Sequence, residues 1–208
     1  MSANTEPQNI FLIRHAKPEL PYGGGVYYGS TDYPLSEEGE RAAAALRDVL
    51  APIQFEGIYS SDLVRARRTL ELALPQHSDS IKTVSELREI NLGEWEGKTF
   101  DEVRGEWNEI YEARGASFDS VSPPGGESFK ELSKRTVPAF EKIMESTPSG
   151  NILIMAHGGV IWTIICHFFK KELNDMFFYP MDYCGIHVIK KTEKMLRLSK
   201  YNWSARVI

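Results

Sequence analysis

Cysteine is nearly absent, with Cys166 and Cys184 the only two in 208 residues. Two thiols cannot build a disulfide framework, and without a Cys-x-x-Cys pair there is neither a zinc ribbon nor a dithiol redox motif. A His-Glu-x-x-His run is also missing, which removes the commonest helical zinc-hydrolase signature. Positive charge is not in excess: 24 Lys and Arg face 29 Asp and Glu, for a net charge of −5. A general nucleic-acid or anionic-membrane binder is therefore not expected. There is no internal repeat and no low-complexity tract. The opening "MSANTEPQ" lacks the basic-then-apolar pattern of a signal peptide, so residues 1–8 are expected to be flexible and the protein cytoplasmic. The longest apolar run, "ILIMAHGGVIWTIICHFF" (152–169), approaches membrane-spanning length. It carries two histidines and a Gly158-Gly159 pair where a buried strand would turn into a helix, so strand–turn–helix is the expected structure.

What is present suits one folded domain over residues 1–208, with 42% hydrophobic and 25% charged residues. Short apolar runs alternate with amphipathic ones. Ile10 to Ile13 reads as a buried strand. "PLSEEGERAAAALRDVLA" predicts a helix with Ser36 as N-cap and Ala43, Leu46, Val49 and Leu50 on one face. "GIYSS" (57–61) predicts a strand, followed by a helix from about Asp62 and a short strand over 82–84. Residues 99–146 predict two helical pieces split by "SVSPPGGES", with 99–130 as a cap insertion. "NILIMA" predicts a strand, "GVIWTIICHFFKK" a helix, and "GIHVIKK" and "MLRLSKYNW" two closing strands. This alternation predicts an α/β fold, a three-layer sandwich with helices on both faces of a mostly parallel sheet. The irregular stretch 17–35 is long for a structureless connection and is expected to be a functional loop.

Two predicted strands share an odd ending. "FLIRH" and "LIMAH" each close an apolar run with a histidine, His15 and His157. One such histidine usually just marks the surface. Ligands of open α/β sheets bind at the carboxyl ends of strands, however, so neighbouring parallel strands would bring both imidazoles into one crevice. The "IYSSDLVRARR" strand and helix would add Arg65 near the same edge, and Arg14 a second guanidinium. Planar guanidiniums match phosphate oxygens with paired hydrogen bonds. Gly158-Gly159 at a helix start would leave backbone N–H groups open to an anion. Ester chemistry also needs a proton donor, and "ELREINLGEWEG" offers Glu86, Glu89, Glu94 and Glu96. Spacing does not choose among them.

The opening "FLIRHAKPE" resembles the Arg-His motif of the histidine phosphatase superfamily, the phosphoglycerate mutase-like proteins. The resemblance continues, in that family's order, through "GSTDYPLSEEGERAA", "IYSSDLVRARRTLE", "LREINLGEWEGKTFDEV", "PPGGESF" and "ILIMAHGGVI". It implies that His15 is a nucleophile forming a phosphohistidine, that Arg14, Arg65 and His157 hold the phosphoryl oxygens, and that Glu89 is the general acid. It further implies a Gly158 N–H contact to phosphate, no cofactor and no metal. Arginines would then stabilise the charge spread over the transferring phosphoryl group. Two positions depart from the pattern: Ala16 stands for the usual glycine, and Lys17 where many members have an acidic residue. Lys17 either adds charge beside the pocket or points to solvent.

The short span between Glu89 and His157 is like that of the compact phosphatases rather than the mutases, so hydrolysis of a small-molecule phosphate ester is expected. A phosphoglycerate mutase, a broad-specificity phosphatase and a non-catalytic phospholigand-binding protein are the alternatives. "GGGVYYGSTDYPL" resembles the phosphate-proximal loop of α-ribazole phosphatases, enzymes of cobalamin nucleotide-loop assembly, which puts Tyr28 and Gly29 on the substrate side. Tyr22, Tyr27, Tyr28, Trp107, Tyr111 and Phe118 could stack on a flat heterocycle or pack the cap onto the core. His77, His167 and His187 are expected to be structural or exposed. An exposed edge strand could support a homodimer.

Overall fold

The computed structural model describes residues 7–204. Its sheet has six strands: β1 Gln8–Arg14, β2 Gly57–Ser60, β3 Lys82–Thr83, β4 Gly150–Ala156, β5 Ile186–Lys191 and β6 Leu196–Trp203, in the order β3-β2-β4-β1-β5-β6. The first four in that order pair in parallel, while β5 runs antiparallel to β1 and β6 antiparallel to β5. The expected α/β fold is thus present, with the two closing strands forming the antiparallel edge.

Side-chain alternation along the central strands makes the layers. Ile10 and Leu12 of β1, with Ile152 and Ile154 of β4, face one core, where they meet Phe140 of α6 (Phe129–Ser146) and Trp162 of α7 (Gly158–Phe169). Ile13, Leu153 and Met155 face the other core. They meet Leu46, Leu50 of α2 (Arg47–Leu50) and Leu70 of α3 (Val64–Ala73). Buried on both sides, β4 reads as a continuous apolar run rather than an alternating one. The run at 152–169 divides between β4 and α7, and no helix among the described residues is long and apolar enough to cross a membrane.

Several boundaries differ from expectation, each for a local reason. Gln8, placed by sequence in a flexible segment, opens β1 and is buried, its amide donating to the Met144 carbonyl at 2.8 Å and to that of Thr147. Residues 1–6 of that segment lie outside the described residues. Ser36 caps α1 (Glu37–Ala45) by accepting the Gly39 N–H at 3.1 Å, but the expected single helix divides at Leu46 into α1 and α2. The helix expected from Asp62 begins at Val64, because its first N–H is taken by Asp32 at 2.9 Å from across the 17–35 loop. Asp62 pairs with Arg88 instead. The first helical piece of 99–146 is two helices, α4 (Phe100–Glu106) and α5 (Asn108–Ala116), broken at Trp107. Reciprocal capping boxes start α4 at Thr99 with Glu102, and α6 at Ser128 with Glu131.

His187 on β5 is fully buried, its Nδ1 accepts the Asn202 N–H at 3.2 Å, and its Nε2 has no partner. Burial pushes its pKa down to about 4. Below pH about 6.5 the unfolded chain takes up a proton that folded His187 refuses, so stability is lost as pH falls from about 6.5 toward 4. At pH about 5 this amounts to about 2 kcal/mol. Urea unfolding at pH 7 and pH 5 should show a loss smaller by about that amount in His187→Phe than in the unsubstituted protein; equal losses would refute the assignment.

Candidate active site

The parallel register pairs Arg14 with Ala156, so the next residue of each strand, His15 and His157, emerges side by side. Their ring centroids are 4.9 Å apart, inclined at 59°. β2 flanks β4 on the other side and leads into α3, whose first turn carries Arg65. Three of the predicted residues therefore meet at one sheet edge because their strands are neighbours.

Arg65 is fully buried, and its Nε donates to His15 Nε2 at 3.3 Å. A guanidinium cannot accept, so His15 Nε2 carries the lone pair and the ring proton sits on Nδ1, which donates to the Ala16 carbonyl at 2.7 Å. Burial, then Arg65 and then Arg14, hold the His15 pKa well below its ordinary value. His15 is thus a neutral imidazole whose unprotonated Nε2 faces the guanidinium cluster and accepts from Arg65. His157 is lowered likewise, by burial first and then by His15 and the arginines. Its Nε2 bonds Ser61 Oγ at 2.9 Å, while its Nδ1 is buried without a partner.

The rest of the Arg65 guanidinium is held by the 17–35 loop. Nη1 donates to the Thr31 carbonyl at 2.8 Å, Nη2 to the Gly29 carbonyl, and Asp32 lies 3.8 Å away. Gly29 is tied at both ends, since its N–H donates to Glu96 at 3.0 Å. It acts through Arg65 rather than as an open substrate contact. A Cβ there would lie 1.9 Å from the Ile90 carbonyl oxygen, so only glycine fits. Burial pushes the Glu96 carboxyl up, but hydrogen bonds from the Thr31 side chain and the Leu92, Gly29 and Ser30 N–H groups together hold it below its usual range.

Arg14 lies against the Tyr183 ring, its Cζ 4.1 Å from the centroid, and Nη1 donates to the Met181 carbonyl. The hydroxyls of Tyr183 and Tyr28 are bonded at 2.6 Å. Arg14 Nε is buried with no partner. Opposite it stands Gly158, where a Cβ would be 3.5 Å from that nitrogen. The Gly158 N–H, in the first turn of α7, has no intrahelical acceptor. Arg14 Nε and His157 Nδ1 are thus buried without partners, beside the open first turn of α7, and a phosphoryl group is the kind of group that would answer them.

Geometry chooses among the four glutamates. Glu86 and Glu94 are exposed and Glu96 braces the loop. Glu89 accepts the Gly159 N–H at 3.0 Å through Oε2 and its neighbour Ile90 N–H at 3.0 Å through Oε1. It also lines a cavity of about 520 Å³ walled by Tyr27, Trp95, Tyr111, Phe118 and Phe129. Arg135 of α6 grips its backbone, donating to the carbonyls of Glu86, Arg88 and Glu89 at 2.7, 2.8 and 2.9 Å while paired with Glu127.

Of the cap aromatics, Tyr27, Tyr28, Tyr111 and Phe118 line this cavity. Tyr22 is exposed on the 17–35 loop, and Trp107 packs against the core with Lys98 4.9 Å over its ring. Lys17 points to solvent and pairs with Glu38 at 2.6 Å. Ala16 is buried and donates its N–H to Thr69 at 3.0 Å. Sequence reasoning missed Ser61, Thr31, Asp32, Arg135 and Tyr183, and offered Glu96 only as a proton-donor candidate rather than as the brace of the loop. Ser61, Thr31 and Asp32 lie within motifs already singled out, but each acts only through a contact across the fold.

The model of the histidine phosphatase superfamily (branch 1) matches residues 10–204. An adenosylcobalamin/alpha-ribazole phosphatase of Escherichia coli is 27% identical over 173 residues, 83% of this chain and 85% of that protein. A metal-independent phosphoserine phosphatase of Arabidopsis thaliana is 29% identical over 167 residues, 79% of this chain and 70% of that one. The crystal structure of an alpha-ribazole phosphatase from Shigella flexneri superposes with a TM-score of 0.86 at 27% identity, covering 94% of this chain and 96% of that one.

Two outcomes follow from this geometry. A Cβ on Gly159 would stand 2.5 Å from Glu89 Oε1, so Gly159→Ala should push the carboxylate aside. Phosphate-ester turnover should then fall by about 10²-fold in kcat with thermal stability little changed; unchanged kcat would remove Glu89 from the reaction. Histidine-selective ¹⁵N NMR should find His15 and His157 neutral at pH about 6.5, the ordinary midpoint, and His15 protonated on Nδ1 alone. Titration of either ring at or above that pH would contradict the buried-neutral assignment.

Proposed function

Because the chain belongs to the histidine phosphatase superfamily, we propose that it is a metal-independent phosphomonoesterase working through a phosphohistidine at His15. The observation that carries this reading is the hydrogen bonding of His15, whose Nδ1 meets the Ala16 carbonyl and whose Nε2 accepts from Arg65, which leaves Nε2 unprotonated and facing the guanidinium cluster. In the first step Nε2 attacks phosphorus while the bond to the ester oxygen breaks. The Glu89 carboxyl delivers a proton to that oxygen, which departs as the alcohol. In the second step water attacks phosphorus, the P–N bond breaks, and the Glu89 carboxylate takes the proton of the water. Inorganic phosphate leaves and His15 returns to neutral.

Throughout, Arg14, Arg65, His157 and the Gly158 N–H surround the equatorial oxygens. These donors are fixed before the substrate arrives, so little reorganisation is needed as charge develops. The positive charge that phosphoryl transfer requires is supplied by guanidiniums.

The ester we propose is α-ribazole 5′-phosphate. Support comes from the names of the Escherichia coli relative and the Shigella flexneri structure, from the "GGGVYYGSTDYPL" loop, and from an aromatic cavity beside Glu89 that suits a flat heterocycle.

Hydrolysis of an aryl phosphate should be unaffected by a chelator and lost in His15→Ala, with ³²P retained on the protein after acid-free quenching only when His15 is present. Among α-ribazole 5′-phosphate, phosphoserine, nucleoside monophosphates, and 3-phosphoglycerate with and without a bisphosphoglycerate primer, the first should have the highest kcat/KM. Preference for another ester would reject the substrate and keep the chemistry; loss of activity with chelator would reject the chemistry.

A further inference from the structure

The cavity beside Glu89 is apolar in body, yet it holds a buried guanidinium of which a single nitrogen is hydrogen-bonded to the protein. Arg114 of α5 is buried, 5% exposed, with its Cζ 4.6 Å from the centroid of Phe118, 5.8 Å from Phe129 and 5.9 Å from Trp95. Only Nη1 is hydrogen-bonded, to the Val121 carbonyl at 2.5 Å. No carboxylate pairs with it among the described residues; Glu112 shares the cavity wall but is exposed at its rim. Trp95 is 1% exposed, and its indole N–H is buried with no acceptor. Arg114 and the Trp95 ring line the cavity, together with Glu89, Tyr28 and Gly159, which border the histidine and arginine cluster, but the Trp95 N–H itself is sealed from it.

A buried guanidinium is seldom left without a partner, because desolvation is compensated only by pairing or hydrogen bonding. Packing against aromatic faces offsets part of that cost, but only one of the five N–H groups is used. Burial pulls the Arg114 pKa down to about 10, which leaves it charged at neutral pH. A donor-only group in an apolar cavity has one chemical complement, an acceptor carried on an apolar body.

We propose that this cavity binds the alcohol part of the substrate, and that the substrate's flat aromatic body carries at its edge a hydrogen-bond acceptor taken by Arg114. The proposal rests on the phosphomonoesterase reading and specifies its leaving-group end. Arg114 thereby determines which ester is accepted, while the phosphate end determines that an ester is cleaved. The shared chemistry is the acceptor, which could be a neutral ring nitrogen or a carboxylate.

The test uses the full chain and three esters of matched shape and similar leaving-group reactivity: naphthylmethyl phosphate, its quinolinylmethyl isosteres with the ring nitrogen at each position, and carboxynaphthylmethyl phosphate. The unsubstituted protein should turn over at least one acceptor-bearing ester with kcat/KM about tenfold or more above the naphthyl ester, mostly through KM. In Arg114→Met that ratio should collapse toward unity, and Arg114→Lys should restore part of it for the carboxylate only. A gain confined to quinolinyl esters marks the neutral acceptor as the ligand, and a gain confined to the carboxylate marks the anion. No preference in the unsubstituted protein, or one that survives Arg114→Met, overturns the proposal; that first measurement needs no variant, so a poorly folding substitution does not shield it. If no ester is hydrolysed, the phosphomonoesterase reading fails and this inference with it, whereas turnover without preference ends this inference alone.

Discussion

The Arg65 guanidinium is the interaction on which the site depends. It is a permanent charge with no exposed surface, and burial alone would make it untenable. Its three nitrogens are distributed over two separate parts of the chain: His15 at the end of β1, and the long loop, through the Gly29 and Thr31 carbonyls and the Asp32 carboxylate. Asp32 also takes the first N–H of the helix on which Arg65 rides. The loop and the helix therefore fix each other, and the bond to His15 settles which ring nitrogen bears the lone pair. Removing Arg65 would take away a proposed phosphate ligand, but also the reason for the loop's shape and the hydrogen bond that sets the His15 tautomer.

A second brace works the same way on Glu89. Arg135 and Glu127 belong to α6 and the turn before it, yet between them they engage the carbonyls of 86, 88 and 89 and the N–H of Asn91. The segment carrying Glu89 has no strand or long helix to hold it, so its carbonyls would otherwise be directed by a flexible chain. Gly93 lies at φ 56 within that segment, and a Cβ there would strike the Pro124 carbonyl oxygen at 2.1 Å. The "PPGGES" and "LGEWEG" stretches pack through glycines because their backbones touch.

What could be read in the sequence follows from this arrangement. His15 and His157 were legible because each ends a buried apolar strand, a position set by hydrophobicity and chain order alone. Arg65 was legible as a nearby cation. Its partners were not, because Gly29, Thr31 and Glu96 act through backbone groups or through contacts between distant segments, and no spacing rule joins residue 31 to residue 65. The four glutamates of "ELREINLGEWEG" illustrate the limit: spacing left them equivalent, resemblance singled out Glu89, and only packing separates it from Glu96, which has turned inward to accept from the loop. The break at Trp107 and the early end of α1 escaped notice for another reason, since helix propensity there is adequate on both sides and tertiary contacts decide the break.

The two ends of the site obey different constraints, and this bears on how one scaffold serves several esters. The proposed phosphate end is built from strand termini and the first turns of α3 and α7, elements buried in the sheet's two cores, so its geometry moves only if the fold moves. The proposed leaving-group end is built largely on α4, α5 and the chain leading to α6, which start at a surface capping box and contact the rest mainly through the aromatic wall. Substitutions in that wall change shape and donor pattern without touching the sheet. Relatives that share about a quarter of their residues with this chain carry the names of phosphatases for different esters, the pattern expected when selectivity resides in the cap and chemistry in the sheet. Arg114 stands on the cap side of that division, so the donor it presents bears on which ester is taken rather than on how an ester is cleaved.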